Sequence, residues 1–237
     1  MRAWLVLLAC LFAAANAAWG GGFSLSPLRL TIPARDASGS VVVENTGDAP
    51  LVVQVRTLAW TQGDGKDVRA DTRDLVVNPP IFKLAPGETQ LVRLASRVGP
   101  PATDERAYRA VFTEVPSRDA PSPQPGLRYA VAMDIPVFVE AVGPRAMAPI
   151  AWKAERTTAG VRLRAENPGA VHYRITDVQF SAGGKPLHSL AYIVVLPKSY
   201  LAYDLPAPPP GMTSIQLSAT GSDDQKVTVE IPLPAAP

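Results

Sequence analysis

Cysteine is nearly absent from this chain. Of 237 residues one is cysteine, Cys10, and it lies inside an N-terminal apolar run. That excludes a disulfide framework and any cysteine-ligated zinc site. Histidine is almost as scarce: His172 and His188 are the only two, and their neighbours show no metal-ligand spacing. There is no nucleophile elbow, phosphate loop or zinc signature. Paired carboxylates such as Asp104-Glu105 and Asp223-Asp224 are adjacent residues in polar stretches, where they serve as solvated charge. No catalytic residue, metal ligand or cofactor site is therefore expected. Aromatic residues make up 7% of the chain and are scattered, so neither a base-stacking face nor a sugar platform is in view. Charge of one sign is lacking too, with 23 basic against 21 acidic residues, which argues against a nucleic-acid partner.

Long hydrophobic runs are also missing. The longest, Ala3 to Ala15 behind Arg2, is too short to span a bilayer, which takes about 20 residues. With Ala15-Asn16-Ala17 it fits a secretory signal peptide over residues 1–17. A lipoprotein reading at Leu8-Ala9-Cys10 would leave an unusually short signal. The expectation is export with cleavage after Ala17, no stable membrane insertion, and a mature chain of 220 residues without cysteine.

What is present reads as strand. The 25 prolines are spread as punctuation, and short alternating segments recur between turn clusters. They run 23–32, 40–44, 51–60, 75–78, 81–84, 89–95 and 108–115, with Asn45-Thr46-Gly47-Asp48 and Ala85-Pro86-Gly87-Glu88 as tight turns. A proline-rich loop, 117–126, then leads into LRYAVAMDIPVFVE. There Leu127, Tyr129, Val131, Met133, Ile135, Val137 and Val139 alternate with positions that begin Arg128, Ala130, Ala132 and Asp134, which are charged or small. That is one strand more than twice the usual length of about 5–6 residues, long enough for two partners. A hinge, AVGPRAMAP, precedes a second set at 161–166, 174–180, 190–196, 199–204, 214–219 and 226–232. The fold class is all-β, with two immunoglobulin-like β-sandwich domains joined by a short hinge. Residues 18–141 form the first domain, 142–148 the hinge and 149–237 the second domain.

Taken in order, SPLRLTI with Arg29, ENTGDAPLVVQV, VNPPIFKLAPGETQLVRL, YRAVFTEVP, the long strand ending IPVFVE, and Glu166-Asn167-Pro168 before His172-Tyr173 resemble periplasmic pilus-assembly chaperones of the chaperone–usher pathway. The ending IPVFVE looks closer to the archaic, spore-coat-related branch. The resemblance implies a boomerang-like pair of domains, periplasmic localisation, and no cofactor. It also implies pilus or coat protein subunits and an outer-membrane usher as partners. Such chaperones lend their long strand to a subunit that lacks its last strand. On this chain the donor side chains would be Leu127, Tyr129, Val131 and Met133. Burying four such groups stabilises by about 6–12 kcal/mol before ordering costs. In the alternative, these positions face the domain's own core, the expected place of Ile135, Val137 and Val139.

The resemblance further implies a basic pair that holds the subunit's C-terminal carboxylate. Arg29 matches one member. The other, usually a lysine, falls at Pro136, which has no donor; Arg109 is the preferred substitute, with Arg93 and Lys83 behind it. Arg93 is otherwise expected in an ion pair within the sandwich. Two other classes remain open on the residues alone: a structural or adhesive surface protein with rigid sandwiches, and a carbohydrate-binding module.

Overall fold

The computed structural model describes residues 22–116, 130–221 and 224–235. The signal segment 1–17, the whole of the proline-rich loop, and Leu127 and Tyr129 lie outside the described residues. Among those described, regular structure is entirely strand. The first half of the chain contributes β1 (Phe23–Ser26), β2 (Leu30–Ile32), β3 (Ser38–Asn45), β4 (Leu51–Gly63), β5 (Lys66–Asp71), β6 (Leu75–Asn78), β7 (Ile81–Leu84), β8 (Thr89–Ser96), β9 (Arg106–Val115) and β10 (Ala132–Val139). The second contributes β11 (Ala151–Thr157), β12 (Gly160–Glu166), β13 (Tyr173–Ala182), β14 (Lys185–Val195), β15 (Tyr200–Pro206), β16 (Ser214–Thr220) and β17 (Lys226–Pro232).

Each half closes a sandwich over its own apolar core, because alternating strands present one buried face apiece. In the first, the sheet β1-β3-β8-β6 packs on the sheet β2-β10-β9-β4-β5, with β7 also on β4. Val41, Val43, Val92 and Leu94 from one sheet meet Val53, Phe112, Ile135 and Val137 from the other. In the second, β11-β12-β15 faces β14-β13-β16-β17 around Leu163, Phe180, Ile193 and Leu217. The all-β, two-sandwich expectation holds.

A matching asparagine corner closes one strand in each sandwich. Asn45, at the end of β3, accepts the Gly47 N–H through Oδ1 at 2.9 Å and donates through Nδ2 to the carbonyls of Ala49 and Leu84. Asn167, just after β12, accepts from Gly169 at 2.8 Å and donates to Val171 and Val195. Both side chains are almost fully buried, a position a polar group holds only when its hydrogen bonds are satisfied.

Four segments differ from expectation, and one is the long strand, which among the described residues is regular only over Ala132–Val139. The stretch 23–32 is two strands in different sheets, broken at Pro27–Arg29 where the chain crosses over. β5 is a polar strand, exposed throughout. It forms through the Asp64-Gly65 turn, whose residues sit at φ +51° and +75° as a two-residue hairpin requires. β11 was also unforeseen, its alternation of half-buried Trp152 and Ala154 with charged residues being weak.

The two sandwiches are joined by polar contacts. The Gln62 side chain donates to the Val194 carbonyl at 2.8 Å and accepts the Leu196 N–H at 2.9 Å, as a strand neighbour would. The Ala202 N–H donates to the Gly65 carbonyl at 2.9 Å. A Cβ at position 65 would come 2.6 Å from the Ala202 Cβ, so the approach needs glycine. Trp60, Ala107, Phe138 and Leu196 make a small apolar cluster between the halves.

Candidate functional site

β10 organises the site because its two faces and two edges do different work. The odd positions Ile135, Val137 and Val139 are at most 2% exposed in the first core. Val131 and Met133 continue the same row, half-buried against the rim of that core. The even positions Asp134, Pro136 and Phe138 face the other way and form a wall of the cleft between the sandwiches. Along one edge β10 pairs antiparallel with β9 over its whole length, and the Glu114 N–H extends the ladder to the Val131 carbonyl at 2.9 Å. Along the other edge it pairs with β2 only at Val137–Val139. From Ala132 to Ile135 that second edge has no strand partner among the described residues, leaving a ladder that another strand can join.

The cleft below this open edge has a volume of about 510 Å³, within the range of ligand pockets. Arg29 reaches it from the bend between β1 and β2, and Arg109 from β9. The parallel register sets Val137 beside Leu30, so Pro136 stands level with Arg29; across the sheet Pro136 pairs with Arg109. Pro136 is thus flanked by both arginines. Arg109 is held rigidly. Its Nε donates to Asp134 Oδ1 at 2.7 Å, its Nη2 donates to the Asp134 carbonyl at 3.2 Å, and its guanidinium lies 4.8 Å from the Trp60 ring centroid. The other oxygen of Asp134 accepts from Arg69 at 2.7 Å. An ordered arginine with N–H groups still unspent is well suited to a planar carboxylate. Arg93 and Lys83 do not reach the cleft. Arg93 is exposed beside Ser40 on an outer sheet face, and Lys83 is exposed on β7. Among the described residues Arg93 makes no ion pair, so the expected pair within the sandwich is not found.

Two cleft residues escaped the sequence reading. Arg174 comes from β13, and His172 immediately precedes that strand. His172 stacks flat on Phe138, with ring centroids 3.7 Å apart and planes at 4°. Its Nδ1 lies 2.6 Å from Oε1 of Glu105, whose side chain is only 4% exposed. The only available sequence signal was the position of His172 beside Asn167-Pro168. Nothing local tied it to Glu105, 67 residues earlier.

Comparison with known proteins gives a consistent result. The sequence pattern of the family described as pili and flagellar-assembly chaperone, PapD N-terminal domain, matches residues 22–144. The chaperone protein caf1M of Yersinia pestis is 26% identical over 210 residues, covering 78% of this chain and 75% of that protein. The probable fimbrial chaperone protein ElfD of Escherichia coli K12 is 28% identical over 185 residues, covering 76% and 74%. Among solved structures, the chain resembles the complex of CsuC with the tip adhesion subunit CsuE, from archaic Csu pili of Acinetobacter baumannii. The TM-score is 0.71 at 20% identity, over 90% of this chain and all of that one. A Salmonella enterica SafB chaperone in complex with SafA pilin aligns with a TM-score of 0.65 at 18% identity, over 92% and 99%. At these identities the structural likeness speaks for the fold. Within the described residues no helix is long and apolar enough to cross a membrane.

Proposed function

The chain belongs to the family of pili and flagellar-assembly chaperones, and on that premise we propose that it captures pilus or coat subunits by lending them the segment 127–133 as a strand. The family is one of chaperones rather than enzymes. The carrying observation is the second edge of β10, without a strand partner from Ala132 to Ile135 among the described residues, on a strand that lines a cleft with Arg29 and Arg109. A subunit lacking a strand pairs its backbone with this edge. It takes Val131 and Met133, together with Leu127 and Tyr129, into its groove. Its terminal carboxylate is received by Arg29 and Arg109. Arg109 stands in for the usual lysine across the ladder from Pro136, at a place where proline supplies no donor.

Sequence-tolerant backbone pairing supplies affinity, and the apolar row supplies the match to the groove. No nucleotide is required, since the subunit's own burial drives its folding. The order 18–141, 142–148 and 149–237 for first domain, hinge and second domain accompanies this reading. So does export by cleavage of residues 1–17 into the periplasm, where an outer-membrane usher takes over the subunit. The named partners of the relatives, a tip adhesion subunit and a pilin, support the partner class.

The test is co-purification. The tagged protein is drawn from a native periplasmic extract made while surface fibres are expressed, and whatever accompanies it is identified by mass spectrometry. A stoichiometric β-rich secreted subunit is the expected companion, and it disappears with Val131→Arg. Undiminished recovery with that variant removes 127–133 as the donor segment.

A further inference from the structure

We propose that His172 is a third, protonation-dependent arm of the carboxylate site, supplied by the second sandwich and held in place by Glu105. This rests on the reading above that the cleft receives a subunit's terminal carboxylate.

The chemistry starts at Glu105. Its Oε1 accepts the His172 backbone N–H at 2.6 Å and lies 2.6 Å from His172 Nδ1. A buried carboxylate persists in its charged form only when donors surround it. The ring nitrogen facing it therefore carries a proton, and Nε2 is left as the ring atom that gains or loses one. The ring lies flat on Phe138, and both rings line the cleft with Arg29 and Arg109. The ring edge turned away from Glu105, which bears Nε2, is thus the edge available to a ligand.

A neutral imidazole offers a lone pair there and repels a carboxylate oxygen. An imidazolium offers a donor with a positive charge, and the Phe138 face supports that charge. The charged groups around the ring are Glu105 before β9, Arg109 on β9, Asp134 on β10, Arg29 between β1 and β2, and Arg174 on β13. A carboxylate arriving among them adds a negative charge beside Nε2 and favours the imidazolium. Proton uptake and carboxylate capture then strengthen one another, as reciprocal coupling requires. The other histidine, His188, is exposed on β14, away from the cleft. His172 is therefore the one cleft side chain of a type that titrates near neutrality. The contact at Nδ1 joins the two sandwiches, whereas the role at Nε2 requires the ring to carry its second proton.

The probe is a short synthetic peptide of alternating valine and threonine, made with a free C-terminal carboxylate and, separately, as the C-terminal amide. Binding to the full chain is measured at about pH 7.5 and about pH 5.5, on either side of the ordinary histidine range. The expected result is free-acid binding roughly tenfold tighter at the lower pH, with amide binding unchanged, and His172→Gln abolishing the difference. On the unmutated protein, adding the free acid at neutral pH moves the His172 Nε2 nitrogen signal toward its protonated position. His188 stays put as an internal reference. If the free acid outbinds the amide and depends on Arg29, yet shows no pH dependence and leaves the His172 signal unmoved, the proposal is overturned and the anchor reading stands. If acid and amide bind alike, the anchor reading itself falls and the proposal falls with it.

Discussion

The two ends of β10 carry the same sequence pattern and lead different lives. Ile135, Val137 and Val139 repeat the apolar alternation of Val131 and Met133. Val137 and Val139 are flanked by β2 and β9 and sealed in the first core. Val131 and Met133 sit on the core's rim, beside a stretch of edge that no described strand covers. The lesson is that alternation specifies which face of a strand is apolar but not what covers that face. One part is stabilised within the chain. The other holds back apolar surface and backbone groups that a partner can use.

The sharpest way to break this comparison is to place a charge in each part. Val137→Asp buries a carboxylate without a partner and should destabilise the first sandwich by at least about 3 kcal/mol. The denaturant midpoint reports it, and an unchanged midpoint would deny that Val137 belongs to the core. Val131→Arg should do the opposite. Folding stability shifts by less than about 1 kcal/mol, because a long side chain on the rim can reach water. Subunit capture is lost all the same. If Val131→Arg proves as destabilising as Val137→Asp, the row is uniform and the distinction fails.

Arg29→Ala tests the floor of the cleft beneath the open edge. It should weaken capture of a subunit by about tenfold or more, as expected for loss of a charge-assisted hydrogen bond. The melting temperature should not move. A parallel loss of stability would make Arg29 a structural residue.

The smallest effect concerns the sealed part alone. Tyr108, opposite Val137 on β9, donates to Asp74 at 3.1 Å. Burial, reinforced by the Asp74 carboxylate, raises its phenol to about 12 from 10.0. The folded state thus holds the Tyr108 proton more tightly than the unfolded chain does. The associated stability is complete below about pH 10 and is lost as the pH climbs from about 10 to about 12. Absorbance titration of wild type against Tyr108→Phe should reveal a late-ionising phenol present only in the wild type.

Much of the fold was legible because strand alternation and turn chemistry are local. Asn45 and Gly47 announce a corner by their own hydrogen-bonding habits, and the core rows of β3, β8 and β9 follow from period two. β5 was overlooked because an exposed strand carries no apolar row, although Asp64-Gly65 is a strong hairpin signal. The break at Pro27–Arg29 was marked by its proline, but which sheet each piece joins depends on its pairing, β1 with the nearby β3 and β2 with the distant β10. Arg29 and Arg109 were reached through resemblance, whereas their placement on either side of Pro136 is a matter of register. Asp134, Pro136 and Phe138 read as mere spacers between apolar residues, yet they form the cleft wall.

By itself the sequence determined that this chain is all-β, in two sandwiches, poor in cysteine and histidine, and equipped with one long alternating row of apolar side chains. Only the tertiary structure decided where that row stops being core, which arginines share a cleft, and that His172 meets Glu105 across the two sandwiches. The physical reason is range. Periodicity and turn preference act over a few neighbouring residues, while edges, clefts and charge pairs arise from registers and packings between segments far apart along the chain.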